Sequence, residues 1–165
     1  MSSAPFRLAT LDAKHNRTGF NCDSEPLNRY LLEQVTQDIR RRVAACFVAL
    51  ADGQRIAGYY TLASASLLLA DLPPSIGKKL PRYPTVPAVR MGRLAVDQAF
   101  KKQGLGGALL ADALDRADSS EIAAFALMVD AKDGAASAFY THHGFIALPD
   151  SPLTLFLPLA TAQRL

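Results

Sequence analysis

The sequence is poor in cysteine and histidine, with only Cys22, Cys46, His15, His142 and His143. Two cysteines cannot build a disulfide framework, and neither residue type has the spacing of a zinc site. The expected setting is therefore a reducing cytoplasm, with both cysteines in the core and no metal. Long apolar runs are also missing. The longest, Leu62 to Ala70, is short and broken by Ser64 and Ser66, and the N-terminus lacks a charged-then-apolar leader, so neither a membrane span nor export is expected. An excess of one charge sign is lacking too, because 18 Lys and Arg against 15 Asp and Glu leave a net charge of +3. That balance suits an anionic ligand without demanding one. What remains is a chain of 165 residues, 50% hydrophobic and 20% charged, enough for one domain over 1–165 with a substantial core.

Absence also sorts the most informative stretch, Val89 to Leu114. An apolar strand, Val89-Arg90-Met91-Gly92-Arg93-Leu94-Ala95-Val96, stops at Asp97, and Gly104-Leu105-Gly106-Gly107 opens a helix with Leu105, Leu109, Ala113 and Ala117 at helical spacing. Glycines let backbone N–H groups approach an anion, the helix dipole favours its charge, and Lys101 and Lys102 add cations. A mononucleotide P-loop is excluded because Ala108 and Leu109 follow Gly107 where Lys and Ser/Thr would stand. A dinucleotide fingerprint is excluded by Leu109 in place of its third glycine, and by Ala123-Ala124-Phe125 about 20 residues after the loop, where it needs an acid.

Around that stretch the patterning predicts a mixed α/β sheet. Phe6 to Leu11 reads as an edge strand. A helix capped by Asp23 or Ser24 carries Leu27, Tyr30, Leu31, Gln34 and Val35 on one face and ends at Arg40-Arg41-Arg42. Ala45–Leu50 and Arg55–Leu68 form a hairpin about Asp52-Gly53, with Tyr59 and Tyr60 on opposite faces, one in the core and one lining a groove. Residues 71 to 87, with five prolines beside Lys78, Lys79 and Arg82, form an excursion long enough to suggest a function. Ile122 to Asp130 reads as a central strand. Asp133 caps a helix from Gly134 to His143 that Gly144 closes, and Phe145–Leu148 and Leu153–Leu159 complete the sheet.

The loop from Lys101 through Gly104 to Gly106 resembles the Gln/Arg-x-x-Gly-x-Gly/Ala pyrophosphate loop of GNAT superfamily acetyltransferases, with Lys in its first position. The order of elements is similar to the GNAT fold, a mixed, mostly antiparallel sheet with a splayed central strand pair and helices on both faces. Four further segments resemble the TacT/AtaT-type tRNA-acetylating toxins of type II toxin–antitoxin systems. These are Phe20-Asn21-Cys22 with Leu27-Asn28-Arg29-Tyr30-Leu31, then Gly58-Tyr59-Tyr60-Thr61-Leu62, Gly92-Arg93-Leu94-Ala95-Val96-Asp97, and Phe139-Tyr140-Thr141-His142-His143-Gly144-Phe145.

That resemblance implies acetyl-coenzyme A as donor and aminoacyl-tRNA as acceptor, with a neighbouring ribbon-helix-helix antitoxin and a homodimer. The donor's extended arm would pair with Leu94, Ala95 and Val96 by strand addition, and its pyrophosphate would meet the amides of Lys101, Lys102, Gln103, Gly104, Leu105, Gly106, Gly107 and Ala108. The matching tyrosine, Tyr140, is the general acid that protonates the departing sulfur. A phenol of pKa about 10 keeps its proton at neutral pH, and its position in the helix puts its ring on the side of Ala136 rather than Phe139. Residues 88 to 96 contain no carboxylate to serve as base, which suits an α-amine better than a lysine. Lys78, Lys79, Arg82, Arg90 and Arg93 are candidate RNA contacts, although strand parity sends Arg90 and Arg93 to opposite sides. The alternatives are acetylation of a small-molecule amine or a protein N-terminus, and a non-catalytic coenzyme A-binding module.

Overall fold

The computed structural model describes residues 6–162, so the first residues, where the sequence shows no leader pattern, lie outside it. Its strands are β1 (Arg7–Thr10), β2 (Ala45–Leu50), β3 (Ile56–Leu68), β4 (Thr85–Val96), β5 (Ala126–Asp130), β6 (Ile146–Leu148) and β7 (Ser151–Pro158). They form one sheet in the order β1-β2-β3-β4-β5-β7-β6. The β4–β5 pair is parallel, while β1–β2, β2–β3, β5–β7 and β6–β7 are antiparallel. The β4–β5 pairing ends at Met91↔Val129, and β4 runs on to Val96. No helix among the described residues is long and apolar enough to cross a membrane.

By contacts, the chain divides into a first group, up to Ala63 with Gly92–Ala113, and a second, Ser64–Met91 with Leu114 onward. In the first group, the helical segment is α1 (Glu25–Arg29), a π-turn (Tyr30–Gln34) and α2 (Val35–Arg40). It buries Tyr30, Leu31 and Val35 against Val48, Leu50, Ile56 and Tyr59. The predicted cap is not formed: Ser24 sits at the N-cap without a side-chain bond, and Asp23 has a left-handed φ of 69°. Both cysteines are buried and free, and burial pushes the Cys46 thiol up to about 12.

Tyr59 and Tyr60 do face opposite sides, but neither lines a groove, since both are fully buried. The Tyr59 hydroxyl donates to the Leu27 carbonyl at 2.7 Å, and the Tyr60 hydroxyl donates to Asp112. Asp112 belongs to α4 (Leu105–Ser119), which covers the Tyr60 side of β3. A strand buried on both faces leaves no wet side for either phenol. The helix approaches β3 closely at Gly58, where an added Cβ would lie 2.9 Å from both the Ala95 carbonyl oxygen and a Leu109 methyl.

In the second group, Val86, Ala88, Ala126, Met128, Leu148 and Phe156 form a core with Leu67 and Leu72. The proline-rich excursion is shorter than expected. It holds a 3-10 turn (Leu69–Asp71) and α3 (Pro74–Gly77), and β4 begins at Thr85. Pro87 therefore lies inside β4, tolerated because its carbonyl accepts from Phe125 and it need donate nothing. Strand β5 starts at Ala126, and Ile122 is 82% exposed, so the apolar run overstates the strand. Strand β7 begins early, at Ser151, because Leu148↔Ser151 closes a tight hairpin over Pro149 and Asp150. The predicted helix is α5 (Gly134–His142), capped by Asp133, whose Oδ1 accepts from Ala136 at 2.9 Å, and closed by Gly144 at φ 93°. A final turn, α6 (Leu159–Ala162), follows β7.

Gly58→Ala should cost about 1–3 kcal/mol in urea denaturation, because one obstructing atom is backbone. Gly92→Ala should cost less, since its Cβ would meet only the movable Thr61 hydroxyl at 3.2 Å.

Candidate active site

In the first group, the strand-to-helix connection is built on Asp97, whose carboxylate is 3% exposed. One oxygen accepts from Asn21 N at 3.0 Å and the other from Ala99 N at 2.8 Å, while Asp97 N donates to Ala57 O. A buried carboxylate costs too much to leave unpaired, and here it accepts from two amides, those of Asn21 and Ala99, while the Asp97 N–H ties the same residue to Ala57. Lys101 adds a further tie, its Nζ reaching Cys22 O at 3.3 Å and Asp23 Oδ2 at 3.5 Å. Its charge is thus partly engaged at the Cys22–Asp23 turn.

Lys102 and Gly104 have φ of 67° and 77°, a double reversal that turns the chain into α4. Space beside Gly104 is open, with nothing within 4 Å of an added Cβ. The amide of Ala108 already donates to Gly104 O, so it leaves the predicted set. By helix geometry the unspent amides are those of Gly104, Leu105, Gly106 and Gly107. The first turn of α4 contains no acidic residue to occupy them. Open space, spare amides and the absence of an internal counter-ion fit a phosphate-bearing donor.

In the second group, Tyr140 is 8% exposed, and its ring meets Phe139 at 5.2 Å and Phe145 at 5.5 Å. The contact with Phe139 corrects the expectation that these rings diverge. Neighbouring rings on a helix can still touch edge to face when both are long. The carbonyl of Tyr140 accepts from His143 and Phe145, which fixes the end of α5. Burial pushes its phenol up to about 12. Its hydroxyl has no hydrogen bond to the described residues, yet no fully buried side-chain polar atom among them lacks a partner. The ring is thus sealed while the hydroxyl reaches accessible surface. His142 and His143 lie at the C-terminal end of α5, as expected of surface residues beside the dipole.

The predicted cations separate. Lys78, Lys79 and Arg82 are exposed, and Lys78 and Arg82 border an open groove of about 690 Å³ with Leu68, Leu72 and Tyr83. Arg90 is ion-paired with Asp130, which also accepts from Thr154 at 2.9 Å. Arg93 lies over the ring of Tyr30, 3.5 Å from its centroid. The sequence reading missed both engagements, because the partners stand 40 and 63 positions away.

The mixed sheet in this strand order, with a glycine-rich helix start following β4, places the chain among acyl-transfer enzymes. The chain belongs to the GNAT acetyltransferase family, whose acetyltransferase (GNAT) domain matches residues 14–154. It is 36% identical over 167 residues to a tRNA-acetylating toxin of Mycobacterium tuberculosis, covering 99% of this chain and 96% of that one. It is similar to the structure of AtaT complexed with acetyl-methionyl-tRNAfMet, at 30% identity and a TM-score of 0.90, covering 96% of this chain and 98% of that one. It is also similar to AtaTR bound with AcCoA, at 30% identity and a TM-score of 0.84, covering 97% of each chain.

Gly104→Ala and Gly53→Ala should cost similar stability, about 1–2 kcal/mol, because both force a side chain into left-handed backbone with open space around it. Only Gly104→Ala should raise KM for acetyl-coenzyme A; titrating both variants with the donor checks this.

Proposed function

We propose that this protein transfers the acetyl group of acetyl-coenzyme A to the α-amine of aminoacyl-tRNA, and so acts as a toxin that blocks translation. The observation that carries the reading is its likeness, over 99% of its length, to a tRNA-acetylating toxin. Acetyl-coenzyme A supplies the acetyl group as a thioester, whose transfer to an amine leaves a sulfur that must be protonated. The amides of Gly104, Leu105, Gly106 and Gly107 hold its pyrophosphate, with Lys102 nearby, and the β4 edge at Leu94, Ala95 and Val96 pairs with its extended arm.

Tyr140 holds the proton at its hydroxyl oxygen and donates it to the sulfur. Its raised pKa of about 12 keeps it protonated across the working range. The sign is simple: burial disfavours the phenolate, so the acid is lost only as pH rises towards 12. No carboxylate stands between residues 88 and 96. An α-amine of pKa about 7.7–8.0 is substantially neutral without one, whereas a lysine near 10.4 is not. Lys78, Lys79 and Arg82, free on the exposed excursion, meet the phosphates of the acceptor.

Aminoacyl-tRNA as acceptor puts the protein in the cytoplasm. A neighbouring ribbon-helix-helix antitoxin that neutralises it and a homodimer complete the reading.

Purified protein, charged tRNA and labelled acetyl-coenzyme A should yield acetyl-aminoacyl-tRNA, and no product with any amino acid would refute the acceptor. Tyr140→Phe should lower kcat by about 10²–10⁴ with KM for acetyl-coenzyme A unchanged. The wild-type kcat should show no alkaline loss between pH 8 and about 10. KM for charged tRNA should rise steeply with salt, and removing Lys78, Lys79 or Arg82 should each flatten the log–log slope by about one unit.

A further inference from the structure

Arg93 occupies the part of β4 next to the donor edge, and the sequence marks it as a free cation for RNA. The structure gives it other work. Its guanidinium carbon lies 3.5 Å from the centroid of the Tyr30 ring. Among the described residues it forms no ion pair. Tyr30 is itself fixed from several directions. It is 6% exposed, runs nearly parallel to Tyr59 with centroids 6.5 Å apart, and donates its hydroxyl to Asp38 Oδ2 at 2.7 Å. The other oxygen of Asp38 accepts from Gln34 Nε2 at 3.1 Å.

Tyr30 also opens the π-turn. Val35 N donates to Tyr30 O, a five-residue step that widens the helix there. Such turns are rare and recur at functional sites, because one inserted residue re-aims the side chains beside it. The widened turn keeps Tyr30, Leu31 and Val35 all buried. The hydroxyl at Asp38 and the ring beneath Arg93 are therefore set by a backbone feature that a straight helix lacks.

We propose that Arg93 is a positioning residue: stacked on Tyr30 above the π-turn, it fixes the β4 backbone from Leu94 to Val96 for the donor and makes no contact with RNA. The inference rests on the reading that acetyl-coenzyme A lies along that edge. A guanidinium over an aromatic face is attracted by the ring quadrupole, and its planarity makes the stack directional, so it can hold a strand in register as a hydrated ammonium could not.

The test uses the full chain and calorimetric titration with acetyl-coenzyme A, which needs no acceptor. Arg93→Met and Tyr30→Leu should each weaken binding about 3- to 30-fold, the factor a cation–π contact converts to. The double variant should bind no more weakly than the worse single one, because both remove the same contact. Tyr30→Phe loses the bond to Asp38 but keeps the ring, and should bind the donor as wild type does. If Tyr30→Leu does not fold, Arg93→Met and Tyr30→Phe decide alone. Unchanged donor affinity in Arg93→Met would overturn the proposal. So would a salt slope for charged tRNA shallower by about one unit in Arg93→Met, since that is the mark of a lost phosphate contact. A wild type that binds the donor but acetylates no tRNA would remove the acceptor reading and leave this one standing. A wild type that binds no acetyl-coenzyme A would remove both.

Discussion

The close approach of α4 to β3 at Gly58 governs where the start of that helix lies. An added Cβ there would press on the Ala95 carbonyl oxygen and on Leu109 at 2.9 Å. The same helix presents the unspent amides of Gly104 to Gly107, so their place is set by how near the helix can come to the sheet. Asp97 then anchors the loop between strand and helix by accepting from Asn21 and Ala99. A steric minimum and a buried carboxylate act together.

Much of this was legible in the sequence because it is local. The glycine loop, the helix from Leu105, the Asp133 cap and the Gly144 reversal each follow from a few adjacent residues whose physics is short-ranged. The Asp52-Gly53 hairpin was legible for the same reason, with Gly53 at φ 63°. What failed depended on distant partners. Strand parity separated Tyr59 from Tyr60, but only the helices on each side decide that both are covered. Parity likewise separated Arg90 from Arg93, yet gave no hint that Asp130 and Tyr30 wait for them. The π-turn left no periodic signature, because one wide turn shifts a short apolar stripe by less than its own width.

The buried tyrosines differ in how their hydroxyls are used. Tyr30 donates to Asp38, Tyr59 to the Leu27 carbonyl and Tyr60 to Asp112. Each of these hydroxyls is occupied in holding the fold together. The Tyr140 hydroxyl has no such bond among the described residues, although its ring is as well packed as theirs. A sealed ring with an unspent hydroxyl is held rigidly and keeps its proton available.

With Tyr140 as the proposed acid, the lack of a carboxylate between residues 88 and 96 bears on which amines could react. At pH 7.4 a lysine of pKa 10.4 is neutral about once in a thousand molecules, whereas an α-amine near 7.7 is neutral about once in three. The ratio is a few hundred-fold, comparable to what a well-placed general base contributes. A site that worked without such a base would surrender lysine and lose little against an α-amine, particularly one whose carboxyl is esterified and whose pKa is lower still. Discrimination in such a site would arise from the substrate's own acidity before any pocket is considered.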